Sequence, residues 1–385
     1  MPNTPYGPTP YGPDTPFRVE VPRGFMEPER EEHDTLSLDA EPEQEPLLDL
    51  SPPLVPGPRP ASEDDRVWPH LLWEVLLLGG CALTVFLLTG VDADALSGNR
   101  LDGFLVQLAF TVLLTSGLAL SLRAAVPNLA VGAIAVGAGA LTAWLVAERG
   151  WGHAGAIVLV LLAAGLLGLL LAVVVVGLNV PAWATTLGVA AALIGLVLGL
   201  LGSGGLVLGG NAPDPASWSV FWIAVAVGLS VVGGLALLVR PWRRFVGAAR
   251  PTSDPARRPG PGAATGATVG LVGSSLLAAA AGVLQMYAMR GAFPSGDSRL
   301  TALALGAALL GGVSVYGRRA GVFGVVLGSA LLTLLVTYLN ARDADPWVSY
   351  AVFGAAVVLG LVVNRVLEAV GRRKSPAPYA QAVPL

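Results

Sequence analysis

The chain has 385 residues, 54% of them hydrophobic and 13% charged, with a mean hydropathy of +0.67. Soluble domains run at about 45–50% apolar and about 25% charged residues, so this composition excludes an ordinary water-soluble domain and indicates an integral membrane protein. The formal charge of −3 hides an asymmetry: residues 1–66 hold 15 acids and 5 Lys/Arg, the remainder 11 acids and 18 Lys/Arg, giving −10 and +7.

Residues 1–66 are rich in proline and acid, with the short repeat TPYGPTPYGPDTP and the run EPEREEHD. Such a segment cannot bury enough apolar surface to offset its ordering entropy, and it is expected to be a disordered cytoplasmic tail. No apolar core follows the first residues, so no cleavable signal peptide is expected. From Leu71 onward, apolar runs recur at the length of about 20 residues that a membrane-crossing helix needs. They cover 71–90, 103–122, 129–147, 154–177, 181–201, 218–239, 265–288, 300–316, 321–340 and 347–366. The expected fold is therefore all-α: a polytopic transmembrane helical bundle of about ten spans over residues 67–370. Residues 371–385 form a short cytoplasmic C-terminal tail.

Orientation comes from the connections. Residues 240–264 carry Arg240, Arg243, Arg244, Arg250, Arg257 and Arg258 against the single acid Asp254. Excess arginine in a short loop marks the cytoplasmic side. With that loop inside, alternation places 13 Lys/Arg in inward segments and 5 in outward ones, and both termini become cytoplasmic. Glycines at small-xxx-small spacing, such as Gly195 with Gly199 and Gly324 with Gly328, predict close helix packing.

Little in the chain points to reaction chemistry. Cys81 is the lone cysteine, and His33, His70 and His153 are scattered, so no disulfide, metal site or cofactor is expected. There is no GxxxxGK[ST] phosphate loop and no cluster of nucleophile, base and orienting group, so the chain reads as a non-enzyme. Glu74 is the one acid inside an apolar run, which disfavours a secondary carrier driven by protons or sodium. Uncharged polar residues remain within or beside the spans, among them Gln107, Asn128, Thr185, Thr186 and Ser314, together with the amphipathic ring of Trp183. Hydroxyls, amides and an aromatic ring suit the path of a small neutral, hydroxyl-bearing solute. Each one alone is more often a helix–helix contact.

Four segments carry a resemblance: AVPNLAVGAIAVGAGAL at 125–141, VPAWATTLG at 180–188, LLAAAAGVL at 276–284 and LLGGVSVYGRRAGVFGVVLGSALL at 309–332. In order and spacing they resemble the permease subunits of bacterial ABC importers for monosaccharides of the ribose, xylose and galactose type, which are related to the branched-chain amino-acid permeases. The likeness covers about residues 70–370. It implies a multi-pass subunit of the bacterial cytoplasmic membrane, paired as a homodimer or heterodimer of permeases. Its implied partners are a separate ATP-binding cassette ATPase, an extracytoplasmic solute-binding protein and membrane lipid, with no nucleic acid. Pro127 or Asn128 stands where that family has an acidic residue, and Pro251, Pro255, Pro259 and Pro261 interrupt the loop that would meet the ATPase. Arg244 and Arg250 precede those prolines and are the expected coupling residues. The alternative is a permease-derived scaffold or regulatory membrane protein without transport activity.

Overall fold

The computed structural model describes residues 68–210, 212–236, 239, 241, 261–314 and 323–371, all within one compact unit, Ser62–Leu385. Arg244 and Arg250 lie outside the described residues, as do both tails. Ten helices occupy the ten apolar runs: α1 (Trp68–Val91), α2 (Gly98–Arg123), α3 (Val131–Ala147), α4 (His153–Ala172), α5 (Ala182–Leu201), α6 (Ser219–Ala236), α7 (Pro261–Ala288), α8 (Asp297–Leu310), α9 (Gly324–Ala341) and α10 (Pro346–Gly371). Eight of them are long and apolar enough to cross a membrane, α4 with the help of a π turn over Val173–Gly177. The other two, α3 and α8, are shorter apolar helices, with apolar stretches at Val131–Ala147 and Ser298–Leu310.

Local chemistry sets several ends. Asn179 takes a left-handed conformation (φ 53°) after the π turn, and Pro181, with its fixed φ, begins α5. Gly202 at φ 65° closes α5. Asp214 accepts a hydrogen bond from the Ala216 backbone N–H and caps the 3₁₀ turn Pro215–Trp218 that leads into α6.

Among the eight long helices, burial is concentrated in two. In α2, 78% of the most apolar stretch is buried, and in α7 61%, against 17–39% for the other long helices. Around this central pair, α3 and α4 pack on α7, α6 on α2, α5 on α3, α1 on α9 and α10 on α8. Small residues let the backbones touch. A Cβ at Gly282 of α7 would overlap the Ala135 carbonyl of α3, and Gly311 and Gly324 approach each other just as closely where α8 gives way to α9.

Pairings between distant segments fix which ends lie together. A two-residue antiparallel ladder joins β1 (Leu206–Val207), after α5, to β2 (Gly291–Ala292), after α7. Near it, Ser219 Oγ donates to Asp102 Oδ1 at 2.6 Å, and His153 Nδ1 meets the Tyr287 hydroxyl at 2.8 Å. The starts of α2, α4 and α6 and the ends of α5 and α7 thus share one end of the bundle, called here the ladder end. At the opposite end, Trp73 Nε1 donates to Leu310 O, and Asn364 Nδ2 to Leu309 O and Val313 O. Glu74 lies beside the backbone of Phe323 and Gly324, where α9 begins. A carboxylate there meets the electropositive start of a helix.

Candidate functional site: a break in the helical core

Between α2 and α3, residues 124–130 leave the helix inside the bundle. Ala125 has φ 57°, and Pro127 cannot donate a backbone hydrogen bond. The other N–H groups find partners near and far. Those of Ala124, Ala125 and Val126 turn back to Leu120, Leu122 and Ser121 carbonyls, and that of Asn128 donates to Ser121 Oγ at 3.1 Å. The Leu129 N–H donates to Thr186 Oγ1 of α5 at 3.0 Å, and the Gly132 N–H to Thr301 Oγ1 of α8 at 3.2 Å. Thr301 in turn donates to Leu129 O at 3.3 Å. Asn128 is the pivot: its Oδ1 accepts from the Ala130 N–H at 3.1 Å while its Nδ2 donates to Ser274 Oγ of α7 at 2.8 Å.

Four helices therefore converge on one interrupted segment, and the convergence is deep. Asn128, Thr186, Ser121 and Ser274 are each 0% exposed. Ser274 lies at the middle of the 28-residue α7, about 20 Å from either end at 1.5 Å per residue. Irregular backbone at such depth persists only where it is enclosed by protein or lines a cavity, since unpaired peptide groups in hydrocarbon cost several kcal/mol each. The start of α3 adds the positive end of its dipole, equivalent to about half a charge. Among the described residues no carboxylate joins the hydrogen-bond network, and the buried Arg123 ends α2 just before the segment. The arrangement offers hydrogen-bond exchange to uncharged groups, and the Thr186 hydroxyl has a choice of acceptors in Ala182 O at 2.9 Å and Pro127 O at 3.2 Å.

The structure brings together only part of the polar set read from the sequence. Asn128 and Thr186 meet at the break. Thr185 is exposed and donates back to Pro181 O, and Trp183, 56% exposed, stands on the outer surface of α5. Ser314 is buried beyond the end of α8. Gln107 lines a separate cleft of about 360 Å³ at the ladder end, with Phe104, Asp92, Arg100, Thr337 and Asn340. Across that cleft Arg100 pairs with Asp92 at 2.7 Å, and this hydrogen-bonded guanidinium holds the Asp92 carboxyl below its ordinary value.

Ser121, Ser274 and Thr301 complete the break and were not among the residues singled out from the sequence. A serine in a run of Gly, Ala and Leu carries no distinguishing pattern; only the neighbouring Pro127–Asn128 pair marks the interruption. Among the described residues no group of three His, Cys, Asp or Glu side chains is placed to hold a metal ion. No protein-family model, characterised protein or solved structure matches the chain.

Proposed function

We propose that this chain is the membrane-embedded permease subunit of an ABC importer that moves a small neutral solute, a monosaccharide, across a bacterial cytoplasmic membrane. The observation that carries the reading is the α2–α3 break: irregular backbone held at the middle of α7 by Asn128, Thr186 and Thr301. Interrupted helices near the midplane are how many transporters place polar backbone beside a solute, and the side chains that hydrogen-bond across this break, Asn128, Thr186, Ser274 and Thr301, carry no charge. In this reading the chain passes the bilayer ten times, α3 and α8 being short helices whose passage is completed by the irregular chain before them, and the arginine-rich 240–264 segment and both termini are cytoplasmic. Two permeases pair, a cytosolic ATPase docks on the inward loops, and a binding protein delivers solute at the ladder end, where the Gln107 cleft opens.

The test is ATP-dependent uptake of labelled ribose, xylose and galactose, with parallel purification of the tagged chain from its own membranes. Wild type should take up at least one of the sugars and retain an ABC ATPase. Arg244→Ala with Arg250→Ala should lose both properties, while Arg257→Ala with Arg258→Ala, flanked by prolines, should keep them. A wild-type chain that retains no ATPase and drives no uptake would overturn the importer reading in favour of a membrane scaffold.

A further inference from the structure

A second cavity, of about 380 Å³, opens at the ladder end between α4, α6 and α7. Its volume lies within the range of about 300–1,000 Å³ typical of small-molecule sites. Ile157 and Leu161 of α4 and Val283 and Leu284 of α7 make its walls, and Trp218, Trp222 and Tyr287 surround them with rings. Most polar atoms here are already engaged: the Tyr287 hydroxyl by His153, and Asp214 Oδ1 by the Ala216 N–H. One charge is not: the exposed Asp214 at the rim has no cationic partner among the described residues.

We infer that this cavity binds a membrane phospholipid with an ammonium headgroup, phosphatidylethanolamine being the simplest. Its acyl chain fills the Ile157–Leu284 slot beside the Trp218 and Trp222 rings, and the ammonium meets Asp214. The layout follows the polarity gradient of a bilayer surface. Asp214 immediately precedes the membrane-crossing stretch Pro215–Ala236, Trp218 sits in its first turn and 68% exposed, and the apolar walls lie beyond. Tryptophan is enriched at that depth because one edge is apolar and the other hydrogen-bonds. A single carboxylate at the rim repels an anionic headgroup and attracts an ammonium, so the site discriminates between lipids of equal chain length. Binding here is independent of whether the chain transports a solute.

The experiment uses the full chain in nanodiscs doped with phosphatidylethanolamine carrying a photoreactive group on one acyl chain, or with phosphatidylglycerol of the same chains. Crosslinks are mapped by peptide mass spectrometry. Wild type should crosslink at Ile157, Leu161 and the Val283–Leu284 peptide, with a yield about tenfold higher from the ethanolamine lipid, the size one charge-assisted hydrogen bond provides. Asp214→Asn should lower that yield to the phosphatidylglycerol level. Val283→Trp should abolish crosslinking by filling the slot; Ala280→Leu provides a milder filling if the tryptophan variant does not fold. Equal yields from the two lipids in wild type, or crosslinks at Leu161 that survive a folded cavity-filling variant, would overturn the proposal.

Discussion

Asn128→Ala strikes the break at its most connected side chain. It removes the bond to Ser274 Oγ and leaves the Ala130 N–H without its acceptor, in a site with no exposed surface. Ser274 keeps its own bond to Leu271 O, so the orphan is the peptide N–H. A net hydrogen bond contributes about 0.5–1.5 kcal/mol and a buried unsatisfied group costs about 1–3 kcal/mol, so the expected loss is about 2–4 kcal/mol. Ser274→Ala removes both the bond from Asn128 Nδ2 and the bond to Leu271 O, and it should cost about 1–3 kcal/mol. The double-mutant cycle should give a coupling of about 0.6–1.7 kcal/mol, the average and upper values measured between membrane helices. Reversible unfolding in mixed micelles by increasing SDS, followed by circular dichroism, supplies the three differences. A loss below about 0.5 kcal/mol for Asn128→Ala, with coupling indistinguishable from zero, would show that the segment between α2 and α3 does not depend on this network.

Gly282→Ala sets a Cβ against the Ala135 carbonyl, a backbone atom that cannot rotate away, and should cost at least about 3 kcal/mol or abolish folded expression. Gly188→Ala, which meets nothing within 4 Å, should stay within about 1 kcal/mol of wild type in the same assay. The Asp92 carboxyl, held low by Arg100, should titrate below the free value of about 3.9 and return to it in Arg100→Ala, as read by carbon-13 NMR of labelled aspartate. Because the native value is depressed, the pair favours the fold above the unfolded value, and that contribution disappears as pH falls through the native one. In a Cys81→Ala background, Asp214→Cys and Asp343→Cys should react with an impermeant maleimide in intact cells and Asp254→Cys should not; the reverse pattern would invert the proposed topology.

Most of the helical plan was legible in residue order, because a run of about 20 apolar residues has few alternatives to a helix in lipid. Hydropathy measures length and apolarity, and it is blind to where a helix starts in depth. The run at 129–147 therefore reads like its neighbours, although α3 begins at a level set by the midpoint of α7. Its partners lie far along the chain, Thr186 in α5, Ser274 in α7 and Thr301 in α8, and no local pattern links a lone serine or threonine to a peptide group more than fifty residues away. Glu74 shows the same limit. Its charge stands out in the sequence, while its role at the start of α9 depends on which helix packs beside α1. The Asp92–Arg100 pair was more accessible, since one tight turn brings the two together.

The burial of α2 bears on how the protein is made. The long helix that ends deepest in protein, α2, leaves the ribosome early, and the largest share of its final cover comes from α7, which follows on the order of ten seconds later at about 5–20 residues per second. Until then the hydroxyls of α2 face lipid or a chaperone. Thr111 bonds to Gln107 O and Ser121 to Leu118 O within the helix itself. These two polar side chains can therefore wait in hydrocarbon without partners on other helices, whereas the Thr115 and Ser116 hydroxyls between them have no such bond.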